Sequence, residues 1–241
     1  MRIGVAQTRP IKGDIPKNIE NHKKLIDQAL SLDADLIIFP ELSLTGYEPE
    51  LARKLATKPD DNRLNDFQAI SDTHQIIIGI GLPIKNAAGV HIGLVLFHPH
   101  QAPQTYAKQF LHPDEESFFV CGPNSPGLIE NHSHIAMAIC YEISVPEHAE
   151  TAFKQGAGVY LTSVAKSVQG LDRALPRLAG IAKTYSMQVF MSNCVGPAGG
   201  MECGGKTSVW NKQGLLMGQR NDTDEGILVF DTNTQELISA T

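Results

Sequence analysis

Short apolar runs alternate along the chain with amphipathic stretches, and this alternation sets the predicted elements. "RIGVAQ" at the start reads as a first strand. From Asn18 to Leu32, apolar residues recur at Ile19, Leu25, Ile26, Ala29 and Leu30, the spacing of one helix face. "ADLIIFPE" predicts a second strand bounded by Pro40, "LNDFQAISDTH" a helix, and "QIIIGIGLPI" a third strand. "GVHIGLVLFHP" and "TYAKQF" predict two more strands, with a turn near "HPHQAP". The loop "LHPDEESFFVCGPNSPG" then leads to a strand ending at Cys140, and a helix follows from about Val145 to Gln155. "GVYLTSVA" predicts a strand, and "DRALPRLAGIAKTYSM" a helix weakened by Pro176 and Gly180. "QVFMSNCVG", "KTSVWN" and "EGILVFD" complete the set as strands.

No repeat, low-complexity tract or linker interrupts the pattern, and its alternation predicts an α/β domain. Adjacent strand pairs near 76–97 and 188–230 argue against a purely parallel sheet, so mixed sheets covered by helices are expected. The 241 residues fit one large domain or two small ones. Apolar residues make up 42% and charged residues 19%, an ordinary soluble composition. The net charge of −6, with no basic block, argues against a nucleic-acid partner. No apolar run is long enough to span a bilayer, and "MRIGVAQTRP" passes straight into a strand pattern, so neither a membrane nor a signal peptide is expected. Four cysteines, at 121, 140, 194 and 203, are too sparse for a disulfide scaffold and lack the paired spacing of a zinc site. A cytoplasmic protein with reduced thiols is expected.

Three residues carry candidate chemistry. Cys140 stands where an apolar strand stops, just before Ser144 and Glu147, which have the spacing of a capping box, with Pro146 tolerated in the first turn. A thiol near the positive end of a helix is favoured as thiolate, the nucleophilic form. The plainer reading is a buried structural cysteine, which is the reading taken for Cys121, Cys194 and Cys203. Glu41 follows "LIIFP"; it is either a turn residue or a carboxylate whose pKa is raised in an apolar cleft, able to act as a general base. Lys108 shares side-chain parity with Tyr106 and Phe110, so it points inward if they do; otherwise it is a solvated edge lysine. Together the three form a Glu–Lys–Cys set suited to acyl transfer.

These residues resemble the motifs of the nitrilase, or carbon–nitrogen hydrolase, superfamily, in its amidase-type members. "LIIFPELSLTGYEP" is similar to the glutamate motif, "YAKQFLHPDEESFF" to the lysine motif and "MAICYEISVPE" to the cysteine motif. "MSNCVGPAGG" and "GGKTSVWNKQG" extend the similarity over essentially the whole chain, 1–241, as a single domain. The resemblance implies an α-β-β-α sandwich of two mixed sheets covered by helices, with no metal or organic cofactor. It implies that Cys140 attacks an amide or N-carbamoyl carbon, that Glu41 carries the proton, and that Lys108 and the backbone N–H of Tyr141 hold the oxyanion. It further implies a second glutamate after the lysine, for which Glu115 fits better than Glu116. Glu142 matches an acidic position beside the nucleophile and reads either as a support for the site or as a structural salt link. Ser144 and Val145 depart from the Arg and Phe of many relatives, which leaves substrate preference open. The implied partners are a small-molecule amide and a second copy of the chain, as a homodimer or larger homo-oligomer. A nitrilase acting on a C≡N group and a catalytically silent binding protein are the alternatives.

Other features read as plain structure. The histidines of "HPH" (98–100) and "HSH" (132–134) lie in turn-like contexts and read as surface residues. "GPAGGMECGG" (196–205) lacks the Lys-Ser/Thr of a phosphate-binding loop and reads as a flexible loop near the site's mouth. Trp210 reads as packing.

Overall fold

Strands whose residues are apolar without alternation are buried on both faces, and they form the centre of two packed sheets. The computed structural model describes residues 1–124 and 127–238. Ser125 and Pro126, in the loop expected over 111–127, lie outside the described residues. The chain runs β1 (Arg2–Gln7), α1 (Ile15–Ser31), β2 (Leu36–Ile38), α2 (Ala52–Leu55), α3 (Asn65–His74), β3 (Ile77–Asn86), β4 (Gly89–Phe97) and β5 (Gln104–Ala107). It continues through β6 (Leu128–Ile129), β7 (His132–Ile139), α4 (Pro146–Lys154), β8 (Val159–Ser163), α5 (Val168–Tyr185) and β9 (Gln188–Ser192). It then forms β10 (Val195–Ala198), β11 (Met201–Gly204), β12 (Ser208–Trp210), β13 (Leu216–Gln219), β14 (Gly226–Asp231) and β15 (Leu237–Ile238).

One sheet has the order β15-β14-β1-β2-β3-β4-β5, the other β13-β12-β9-β8-β7-β6. Each is mixed: β1, β2 and β3 are parallel, as are β7, β8 and β9, and antiparallel strands flank both runs. Ile3, Val5, Leu36 and Ile38 share one core cluster with Ile135, Met137, Leu161 and Phe190, the packing between the sheets. Ala6, Ile37 and Phe39 point the other way, into a second cluster with Ile15, Ile26 and Phe67 of the covering helices. The result is the α-β-β-α sandwich, with α1 and α3 over one sheet and α4 and α5 over the other. No described helix is long and apolar enough to cross a membrane.

The helix ends follow from local chemistry. Asp14 caps α1 by accepting from the Lys17 N–H at 3.2 Å, with Pro16 in the first turn. Ser167 caps α5 by accepting from the Gly170 N–H at 3.1 Å. That helix runs through Pro176, where the sequence predicts weakness. Its buried face carries Leu171, Ala174, Leu178 and Ala182. The two leucines alone contribute about 3–6 kcal/mol, enough to offset the ~3 kcal/mol cost of an interior proline. The "GPAGGMECGG" segment is a two-stranded hairpin, β10–β11, where the sequence suggests a loop.

Candidate active site

Glu41 follows the end of β2, and the loop that bears it lies directly on β3. A Cβ at Gly81 would stand 2.3 Å from the Pro40 carbonyl oxygen and 2.7 Å from the Leu42 nitrogen, so only glycine fits beneath the loop. The Leu44 N–H donates to the Gly81 carbonyl at 3.0 Å, and Ser163 Oγ, from the other sheet, donates to the Phe39 carbonyl at 2.8 Å. Lys108 comes one residue after β5. Its N–H donates to the Ile92 carbonyl at 2.8 Å, and its carbonyl accepts from the Gly122 N–H at 2.7 Å. Gly122 is required here too, because a Cβ would lie 2.2 Å from the Ala107 oxygen. The parity argument holds for Tyr106 and Lys108, both buried, and fails for Phe110, which is 39% exposed because the strand ends at Ala107.

These anchors bring three charges together in the interior. Lys108 Nζ lies 2.8 Å from Glu41 Oε1 and 2.7 and 2.8 Å from the two oxygens of Glu115. Glu115 also accepts from Tyr47 Oη at 2.8 Å and from the His112 N–H at 2.8 Å. Glu116 is exposed, whereas Glu115 is buried on Lys108. Tyr47 has no spacing signal in the sequence; its hydroxyl finds Glu115 only through the fold. Glu41 Oε2 is buried and has no hydrogen-bond partner among the described residues. Burial is the main cause that raises the Glu41 pKa, and the Glu115 charge adds to it, against the pull of Lys108. Burial alone would lower the Lys108 pKa, but the charges of Glu41 and Glu115 outweigh it and keep the ammonium protonated.

Cys140 follows β7 and is buried beside this triplet. Its φ of +42° lies in the left-handed region, a strain on the order of 1–3 kcal/mol for a residue with a side chain. Its Sγ donates weakly to the Ala165 carbonyl at 3.8 Å. Burial, then the Glu41 charge, pushes the thiol pKa up to about 11, with Lys166 and Lys108 acting against that rise. The expectation of a resting thiolate is therefore overturned. The capping box expected at Ser144 and Glu147 is also absent. Val145 occupies the cap of α4 without a side-chain bond, and Ser144 Oγ instead accepts from Arg177 Nη1 at 2.5 Å.

Glu142 ties the two halves of the site together. One oxygen accepts from the Gln109 N–H at 2.6 Å, next to Lys108; the other accepts from the Ile139 N–H at 2.7 Å, next to Cys140. Tyr106 Oη donates to the second oxygen at 2.9 Å. His148 continues the chain, with Nε2 2.9 Å from Tyr106 Oη and Nδ1 2.8 Å from Tyr160 Oη. Donor order then puts the imidazole proton on Nε2. Burial lowers the His148 pKa to about 4, so the imidazole is neutral near pH 7 and the salt-link reading of Glu142 fails. Burial raises Glu142 itself to about 7, against its hydrogen bonds from Ile139, Gln109 and Tyr106.

A cavity of about 760 Å³ opens onto Cys140, lined by Tyr141, Lys166, Phe118 and the turn glycines Gly199 and Gly200 of the β10–β11 hairpin. Tyr141 sits in the first turn of the short 3-10 segment Cys140–Ser144, where opening N–H groups have no intrahelical acceptor. Elsewhere, Cys121 is exposed and His98 is buried against Gln104, both contrary to the sequence reading. Cys194 and Cys203 are buried side by side in a small cluster with Ala165 and Ala198. Trp210 is core packing. Among the described residues, no three His, Cys, Asp or Glu side chains converge as a metal set.

Comparison with known proteins identifies relatives of this chain. A family model described as carbon-nitrogen hydrolase matches residues 2–240. The "Hydrolase in agr operon" of Staphylococcus aureus is 24% identical over 98% of this chain and 93% of its own length. A nitrilase of Pyrococcus abyssi is 24% identical over 96% of this chain and 89% of its own. Among solved structures, a cysteine-to-alanine mutant of the amidase from Nesterenkonia sp. AN1, in complex with butyramide, superposes with a TM-score of 0.87. It is 23% identical, and the match covers 98% of this chain and 92% of that one.

Proposed function

The chain belongs to the carbon–nitrogen hydrolase family, and from that premise we propose that it hydrolyses a small amide through a thioester on Cys140. A match running from residue 2 to 240 supports reading the chain as one catalytic unit. The observation that carries the reading is the buried ammonium of Lys108 shared by Glu41 and Glu115 beside the thiol. Taking these charges out of water costs several kcal/mol per ion, a cost a purely structural core has no reason to bear. That cost weighs against a silent binding protein.

In this mechanism the thiol proton passes to Glu41, whose Oε2 is unpartnered and whose proton affinity is raised by burial. Sγ bonds to the amide carbon, and the C=O electrons move onto oxygen. Lys108 Nζ and the Tyr141 N–H stabilise that oxyanion. Collapse breaks the C–N bond, Glu41 returns its proton to nitrogen, and ammonia or an amine leaves. Water then adds to the thioester while Glu41 takes its proton. The C–S bond breaks, the thiol regains the proton, and the acid departs. Glu115 keeps Lys108 in place by a two-oxygen grip, and Tyr47 keeps Glu115 in place. A thiol with a pKa near 11 fits base-assisted attack, in which the thiolate forms only as it reacts.

The test is ammonia release from a panel of small amides, ω-amides, carbamoyl amines and nitriles, with intact-mass detection of an acyl adduct. Release from an amide, with an adduct on the Cys140 peptide, is expected. Turnover confined to nitriles would replace this reading with the nitrilase alternative, and no release from any member would remove it.

A further inference from the structure

The cavity above Cys140 holds a cation that neither the fold nor the proposed chemistry accounts for. Lys166 follows the Ala165 carbonyl that accepts from the thiol. Its backbone is fixed on both sides. The N–H donates to buried Asn193 Oδ1 at 2.8 Å, and the carbonyl accepts from the Gly204 N–H at 3.0 Å and Asn193 Nδ2 at 3.3 Å. The stem runs along Gly170, where an added Cβ would meet the lysine Cδ at 3.5 Å, an ordinary van der Waals contact. Among the described residues its ammonium has no ion-pair or hydrogen-bond partner, although the side chain is only partly exposed. Its charge acts on the thiol, opposing the rise in the Cys140 pKa.

The other charges in the cavity are accounted for. Lys12 Nζ pairs with Glu48 at 2.8 Å, and Glu50 is exposed. Asp114 stands 88% exposed beside His112. On the floor, Lys108 faces two carboxylates, Glu41 and Glu115, so the reacting centre carries one excess negative charge when both are ionised. An anionic substrate would be repelled from that floor without a further cation in the cavity. A neutral amide has no use for one.

We propose that Lys166 selects the substrate, pairing with a carboxylate at the far end of a short amide, so that the preferred substrate is a monoamide of a small dicarboxylic acid or a close analogue. This deepens the amidase reading and rests on it. Cys140, Lys166, Gly199 and Gly200 line one cavity, so the amide carbon is assigned to Cys140 and the carboxylate to Lys166.

The experiment reads binding rather than turnover. The full chain carrying Cys140→Ala is titrated calorimetrically with succinamate and glutaramate, each against its diamide, which has the same shape without the charge. At least one acid is expected to bind about tenfold or more tightly than its diamide, the effect of one charge-assisted hydrogen bond. Adding Lys166→Met should bring that ratio to within about twofold of unity, and Lys166→Arg should retain most of it. Diamides that bind as tightly as both acids, a ratio that survives Lys166→Met, or no measurable binding of either acid would each overturn the proposal. Failure of the amidase reading shows separately, as absence of ammonia release by the unaltered protein across the amide panel.

Discussion

Replacing Glu142 by glutamine sets stability against activity, and the structure gives the size of each effect. Burial holds this carboxyl at about 7, against an ordinary 4.5. Between those values the folded chain keeps a proton that the unfolded chain has released. The folded state then binds more protons, so this group's contribution to stability is complete below about pH 4.5 and is lost as pH rises through about 7. At about 1.4 kcal/mol per pH unit, the loss across that window is roughly 3 kcal/mol. Glutamine does not titrate. The difference in unfolding free energy between variant and wild type should therefore move in the variant's favour by roughly 3 kcal/mol from about pH 4.5 to about pH 8. Activity should move the other way. Glutamine offers one oxygen where Glu142 uses two, so only one of the Gln109 and Ile139 N–H groups keeps its acceptor. The segments bearing Lys108 and Cys140 then lose their common tie, and a slackening on the order of 1 Å costs about 10² in rate. Urea unfolding at several pH values, with kcat/KM on an accepted amide, measures both. A free-energy difference that does not change with pH would refute the titration argument. Undiminished turnover would refute the tie.

Four further outcomes follow from the same geometry. Lys108→Met should lower kcat/KM by at least about 10²–10³, the loss of one oxyanion donor, whereas Lys85→Met, at an exposed position, should be harmless. A folded Lys108→Met enzyme within about tenfold of wild type contradicts the site as drawn. Cys140→Ala should abolish ammonia release with an unchanged circular dichroism spectrum, and residual release above a few hundredths of wild type removes Cys140 as nucleophile. Gly81→Ala forces a Cβ to 2.3 Å from the Pro40 oxygen and should cost at least about 1–3 kcal/mol in urea unfolding, with lost turnover as the Glu41 loop shifts. The chain should pair as a homodimer through its outer helices, where Phe153 is 48% and Val168 56% exposed. A monomer mass by light scattering at micromolar concentration counts against it.

The strands and the candidate thiol were legible in the sequence because both leave local marks. "LIIFPE" and "MAICYE" are apolar runs that stop at a reactive residue, and runs buried on both faces are hard to hide. Glu115 was legible only through the resemblance, since nothing local separates it from Glu116. Tyr47 and Lys166 were not legible as site residues. Each reaches the site through contacts made by another part of the chain, Tyr47 to a glutamate 68 residues away and Lys166 through Asn193 and Gly204. The thiol's protonation was misread for a physical reason. A helix start is a local feature and favours thiolate, but burial and a neighbouring carboxylate are tertiary features, and they act more strongly. Ser144 was misread as a cap because the spacing to Glu147 cannot show that Arg177, on α5, takes its hydroxyl.

The pairing of β1 with β14, Arg2↔Asp231 through Gln7↔Gly226, gives the protein a schedule for its own birth. A ribosome that has released the lysine, both glutamates and the cysteine still holds a sheet whose second strand neighbour has not been made. β14 supplies the other side of β1 and part of the packing beneath β12. Until it docks, one edge of β1 is unpaired, and Leu228 and Phe230 are missing from the packing between the sheets. A nascent chain stalled short of residue 226 should therefore be silent toward substrate, and the appearance of turnover would time the arrival of that strand.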